Sequence, residues 1–262
     1  MKLNYILMVL ALPFISHSQI TLKADGPGNT YELINSVLAP GSEAVENPEC
    51  IHASFGRHIA EVWDADLKAN VFEFYSHVSP DNDRCEKLDR QRVEIKTYEQ
   101  SPENLKGTLG ETVTYNWKFK LPMGFQPSSS FTHLHQIKAV GGSQDLPIFT
   151  ITARKSKENQ LVVIHDNETT IATADLSDFE GVWVEVTEKI KIGPNGTYSI
   201  SIKKVKNGQE LLSFSSVNIQ TIRPDNDFIR PKWGIYRSLK KAADLRDEAV
   251  RFNEFSIKEG DN

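Results

Sequence analysis

From about residue 55 onward, apolar and polar residues alternate in short runs broken by turn residues. A strand sends successive side chains to opposite faces, so each run reads as a half-buried strand. The pattern predicts strands over 58–63, 70–78, 90–98, 112–121, 133–141, 147–154, 160–165, 181–191, 197–206, 210–217, 231–237 and 250–258. The breaks carry turn chemistry: Pro80-Asp81-Asn82-Asp83, Pro194-Asn195-Gly196 and Asn207-Gly208 supply the backbone angles that reversals need. Pro194-Asn195-Gly196 lies between two alternating runs and predicts a hairpin. Helical signal is confined to 31–38 and to 239–249, the latter rich in helix formers. About a dozen regularly spaced strands with two minor helices predict an all-β fold, a two-sheet antiparallel sandwich.

The N-terminus changes the picture of where the chain works. Lys2 precedes an apolar run over 5–15, and Ser16-His17-Ser18 then places small residues as a leader peptidase requires, so residues 1–18 read as a cleaved signal peptide. The run is shorter than the roughly 20 apolar residues of a membrane span, and no cysteine follows it to carry a lipid. A secreted or periplasmic protein is expected, with residues 19–262 as one domain, no membrane partner and a monomeric state. In such a compartment the two cysteines, Cys50 and Cys85, are expected to form a disulfide, worth about 3–4 kcal/mol on the chain-entropy view. The net charge of −5 and the lack of a long basic run argue against nucleic acid.

Three segments stand out for candidate chemistry. Arg92-Val93-Glu94-Ile95-Lys96 places Val93 and Ile95 on one face and Arg92, Glu94 and Lys96 on the other. Phe131-Thr132-His133-Leu134-His135-Gln136-Ile137-Lys138 alternates likewise, with Thr132, Leu134, Gln136 and Lys138 opposite His133, His135 and Ile137. Lys232-Trp233-Gly234-Ile235-Tyr236 buries Trp233 and Ile235 and turns Lys232 and Tyr236 the other way. A glycine inside a strand implies close approach of a ligand or a facing backbone. On one sheet, these polar faces would gather Arg92, Glu94, Lys96, Gln136, Lys138, Lys232 and Tyr236, a surface suited to an acidic sugar polymer. Bland alternatives are a solvated strand face, or a metal site in which His133 and His135 are joined by His52, His58, His77 or His165. There is no Gly-x-Ser-x-Gly elbow, Walker loop, dinucleotide fingerprint or His-Glu-x-x-His.

In this order the three segments resemble the signature strands of the jelly-roll polysaccharide lyases of the alginate lyase type, to which glucuronan and ulvan lyases are related. Those strands read Arg-x-Glu-x-Arg, Gln-Ile-His and Lys-x-Gly-x-Tyr. The resemblance implies a β-jelly roll and an endo-acting enzyme that cleaves a uronate polysaccharide by β-elimination. It makes Tyr236 the acid and base and Arg92, Gln136 and Lys138 the groups that neutralise the uronate carboxylate. His135 is an alternative base if a bulge turns it inward, and Arg154, Glu94, Lys96, Lys232 and His133 are expected to bind substrate. Lys96 stands where the family has its second arginine and Lys138 where alginate enzymes have histidine, which leans the expectation toward ulvan or glucuronan over alginate. No cofactor is required by this chemistry, although a structural divalent cation is compatible with it. A carbohydrate-binding sandwich and a glycoside hydrolase on the same scaffold are the competing readings.

Overall fold

The computed structural model describes residues 19–144 and 146–260; the expected signal peptide lies outside them. The strands are, in chain order, β1 (Gln19–Leu22), β2 (Val45–Glu46), β3 (Ile59–Asp64), β4 (Ala69–Ser76), β5 (Arg90–Lys96), β6 (Thr112–Lys120), β7 (Thr132–Val140) and β8 (Pro147–Arg154). They continue with β9 (Gln160–His165), β10 (Thr169–Asp175), β11 (Val184–Lys191), β12 (Gly196–Lys204), β13 (Glu210–Ile219), β14 (Phe228–Ser238) and β15 (Glu248–Gly260). Two short α-helices, α1 (Thr30–Leu38) and α2 (Glu49–His52), precede β3.

The strands form two antiparallel sheets. One runs β13-β12-β11-β6-β15-β4-β3, with β1 also paired to β15, and the other runs β10-β9-β8-β7-β14-β5-β2. The alternation explains why they pack. Tyr115, Trp117 and Phe119 of β6, Val184, Val186 and Ile190 of β11, and Tyr198, Ile200 and Ile202 of β12 fill one side of the core. Val93, Ile95, Ile137, Ile151, Trp233 and Ile235 come down on them from the other sheet. Area removed from water in this way is the main favourable term in folding. The predicted hairpin at 194–196 joins β11 to β12, with Lys191 opposite Thr197.

Two expectations are corrected. The helix over 239–249 is only a 3₁₀ turn at Ala242–Asp244, and Glu248 already belongs to β15, opposite Ser76. Eleven residues without an apolar stripe to bury make a marginal helix, and strand pairing takes its last residues. The short edge strands β1 and β2 and the half-exposed β10 escape the alternation rule. Cys50 and Cys85 are bridged, with Cα atoms 6.3 Å apart, tying α2 to the turn that leads into β5.

Candidate active site

β5, β14 and β7 lie side by side at the middle of their sheet, and their register builds the site. Lys96 faces Lys232, Glu94 faces Gly234 and Arg92 faces Tyr236 across β5 and β14. On the other flank Lys232 faces Gln136 and Arg230 faces Lys138. Paired residues share a face, so one face of three strands carries these polar groups while Val93, Ile95, Ile137, Trp233 and Ile235 carry the core. Gly234 has φ +141°, and a Cβ there would sit 2.1 Å from the Val93 carbonyl oxygen. The facing backbone, rather than a ligand, is what requires glycine.

The second segment departs from simple alternation. Between His133 and His135 the pairing with β8 skips from Thr152 to Ile151, and the pairing with β14 jumps from Tyr236 to Trp233. This β-bulge turns Leu134 and His135 to the same side, into the core, and leaves His133 on the polar face. His135, expected at the groove, instead lies between Trp117 and Trp233 with Nε2 2.9 Å from Glu188 of the opposite sheet. Burial opposes the Glu188 charge, but His135 and the Tyr198 hydroxyl (2.7 Å) hold its carboxyl below the usual range. The two histidines do not share a face, so the metal site built on both is not formed.

The floor of the site is a buried ionic network. Arg92 donates through Nε and Nη2 to Asp83 (2.8 and 3.1 Å) and through Nη1 to Glu94 (2.6 Å). Gln136 Nε2 donates to the other oxygen of Glu94 (2.5 Å). Lys232, almost wholly buried, lies 2.7 Å from Glu94 and also donates to Glu46, which in turn takes a bond from Lys96 (2.8 Å). Burial pushes the Lys232 ammonium below its ordinary value, with the Glu94 charge opposing. Burial opposes ionisation of Glu46 and Glu94 as well, yet Lys232 and Arg92 keep both well below the usual carboxylate range. Each charge here has partners, the condition for holding it out of water. Glu94 is therefore committed to organising cations and is not a free glycosidase acid.

Above this floor stand the groups with chemistry to spare. The Arg92 guanidinium lies 3.7 Å from the centroid of the Tyr236 ring, and Arg90 Nη1 donates to the Tyr236 hydroxyl (3.1 Å). Burial raises the Tyr236 phenol above its ordinary value, with Arg92 and the Arg90 hydrogen bond opposing. The two cations therefore do not make it a resting phenolate. The His133 ring is 5.8 Å from that of Tyr236 and stacks on Phe131 at 4.9 Å. Burial pushes the His133 imidazole down to about 3, against the pull of Glu94 and with help from Arg154 and Arg92. Arg230 is 6% exposed, with Nε and Nη1 lacking a hydrogen-bond partner among the described residues and its guanidinium 4.7 Å over the Tyr98 ring.

These residues line a hollow of about 570 Å³ in which Arg84, Lys87, Arg90, Arg92, Lys96, Lys138, Arg230 and Lys232 face a single lining carboxylate, Glu46. Arg84, Arg90, Arg92, Lys96 and Lys232 are paired with Glu46, Asp83, Glu86, Asp89 or Glu94, so on a chain of net charge −5 the hollow keeps an excess of positive charge of eight against five. Arg154 shares the face through β8 but is not among the lining residues. Arg230, Arg90, Glu46 and Tyr98 were not singled out from sequence. Arg90 and Arg230 each lie two residues from a chosen position on the same parity, so extending the alternation by one step finds both. Trp117, Trp183 and Trp233 are buried, so none of these three offers a platform for stacking sugars, while Tyr98, Phe131 and Tyr236 line the hollow.

No protein-family model matches the chain, and neither does any curated protein. Solved structures do match. An endo-β-1,4-glucuronan lyase from the fungus Trichoderma reesei superposes with a TM-score of 0.52 at 16% identity, covering 76% of this chain and 85% of that one. The alginate lyase AlgAT5 of polysaccharide lyase family 7 gives 0.51 at 17%, covering 78% and 83%. The alginate lyase Aly36B, a variant in complex with an alginate trisaccharide, gives 0.57 at 10%, covering 93% and 99%. At such identities the likeness speaks for architecture: this chain has the jelly-roll fold of the glucuronan and alginate lyases.

Proposed function

We propose that the protein is a secreted, endo-acting lyase that cleaves a uronate-containing polysaccharide by β-elimination. One observation carries the reading: a phenol and a neutral imidazole, Tyr236 and His133, stand 5.8 Å apart in a hollow crowded with cations. The C5 proton of a uronate is hard to remove while the C6 carboxylate keeps its charge, because a dianion would form. Arg230, two of whose donors lack a partner among the described residues, Lys138 and the second amide hydrogen of Gln136 would bind that carboxylate and stabilise the enolate. Arg92 and Glu94 act as positioning residues, Arg92 beneath the Tyr236 ring.

His133 is the base and Tyr236 the acid. Burial keeps the Tyr236 phenol protonated and the His133 imidazole unprotonated in the free protein, and the imidazole gains the basicity the step needs only when a uronate carboxylate enters beside it and offsets that burial. His133 takes the C5 proton, the C4–C5 double bond forms as the C4–O bond breaks, and Tyr236 protonates the departing oxygen while Arg90 stabilises the phenolate. This divides between two residues the work that the sequence resemblance gave to Tyr236 alone. Ulvan or glucuronan is favoured over alginate, since Lys138 stands where the alginate enzymes carry histidine, and Lys87 at the rim adds a cation able to meet a sulfate of ulvan.

The test is ultraviolet absorbance of unsaturated uronate ends, measured on ulvan, glucuronan and alginate. Tyr236→Phe and His133→Asn are each expected to slow turnover by about 10²–10⁴-fold with polymer affinity within a few-fold. Viscosity of the polymer is expected to fall ahead of end-group release. New reducing ends without unsaturation would mean a hydrolase, and binding without turnover a binding module. Near-normal elimination by Tyr236→Phe would remove the tyrosine from the chemistry.

A further inference from the structure

Outside the lining of the hollow, His52, His58, His77 and Asp81 converge so that one ligand atom from each lies within 4.8 Å of the others. His52 closes α2, His58 directly precedes β3, His77 directly follows β4, and Asp81 lies in the turn beyond it. Asp81 Oδ1 is 2.6 Å from His52 Nδ1 and 3.3 Å from His58 Nε2, and its Oδ2 is 3.2 Å from His77 Nδ1. Tetrahedral zinc with bonds of about 2.0–2.1 Å to nitrogen and oxygen sets its ligand atoms roughly 3.3 Å apart. Two of the three observed spacings lie close to that value, and the third, to His52, is shorter.

The orientation of the His58 ring strengthens the case. His58 Nδ1 is 3.1 Å from the Gly56 carbonyl oxygen, a contact that holds the ring with Nε2 directed at Asp81. Nε2 lies 3.3 Å from a carboxylate oxygen of Asp81, and both side chains are wholly buried. An imidazole whose far nitrogen is fixed by a backbone carbonyl is also the usual outer support of a metal ligand. The Phe55 ring covers the group, 4.3 Å from His77 and 4.9 Å from His58.

We infer that His52, His58, His77 and Asp81 bind a divalent transition metal, zinc by the character of the donors. Three imidazoles do not suit calcium or magnesium, which prefer all-oxygen shells. Four protein ligands complete a tetrahedron, so the ion is structural and not a water activator. It clamps 49–58 to the turn holding Asp81, the same two segments that Cys50–Cys85 joins. Two residues on, Asp83 grips Arg92, so the ion steadies the turn that fixes the arginine under Tyr236. The site stands independently of the lyase reading.

The test uses the full mature chain purified without a histidine tag. Elemental analysis is expected to find about one zinc per chain, and removal by dipicolinate to lower Tm by on the order of 10 °C. Zinc chloride, but not magnesium or calcium chloride, should restore it. Adding cobalt(II) to the stripped protein should produce the intense visible bands of a tetrahedral site, and Asp81→Asn and His52→Ala should abolish them. Should either variant fail to fold, the cobalt spectrum of the unmutated chain decides alone. Metal-free protein whose Tm ignores both chelator and zinc, or a cobalt spectrum without tetrahedral bands, overturns the site.

Discussion

β12 and β14 follow the same alternation and end in opposite surroundings. In β12, Tyr198, Ile200 and Ile202 are buried, Ser199 and Ser201 are half-buried, and Lys203 is exposed. In β14 every residue from Phe228 to Ser238 is buried. The polar face of β12 meets water, whereas that of β14 is roofed by its neighbours' side chains: Glu46 and Glu94 against Lys232, Arg92 against Tyr236. Alternation tells which way a side chain points and says nothing of how deep it lies. Depth decides the energetics, because an exposed charge is nearly free while a buried one costs several kcal/mol unless it is paired.

Lys232→Met should show the difference at its largest. It leaves Glu46 and Glu94 without their shared ammonium, and a loss of about 3–5 kcal/mol is expected in denaturant unfolding. Adding Glu94→Gln should cost less than the two single changes together, since the second change removes a charge the first has stranded. A loss no greater than that at an exposed lysine would erase the contrast between the two strands.

An intermediate effect is expected with acid. Although burial opposes it, Lys232 and Arg92 hold the folded-state Glu46 carboxyl below its ordinary value. A carboxyl with a depressed folded pKa contributes stability that is complete above roughly pH 4.3 and is lost as pH falls toward the folded value. Glu46→Gln should therefore flatten the acid side of the stability curve, followed by Tm from pH 7 downward. An unchanged slope would take Glu46 out of the network. Lys203→Ala, the smallest case, should shift stability by no more than about 0.5 kcal/mol.

The same contrast explains what could be read in advance. The core residues Val93, Ile95, Trp233 and Ile235, and the opposing Arg92, Glu94, Lys96, Gln136, Lys138, Lys232 and Tyr236, follow from parity alone within regularly paired segments. Glu46 comes from a strand of two residues, too short for any period to register. Arg230 precedes a proline, whose usual role as a strand terminator hides that the strand continues through it. Plain alternation puts His133 and His135 on one face, because a bulge is set by cross-strand pairing and has no signature in composition.

That bulge has a consequence for how β7 is compared with other strands. Because Leu134 and His135 both enter the core, the leucine is silent in the faces the strand presents. His133-Leu134-His135 offers the groove and the interior what two adjacent histidines would offer in an unbroken strand. A relative with contiguous histidines and no bulge would thus display the same chemistry one residue shorter. Matching the two requires a gap in the middle of a hydrogen-bonded strand, where gaps are least expected, and a gap-free match would hand the role of the imidazole beside Tyr236 to the one that packs against Glu188.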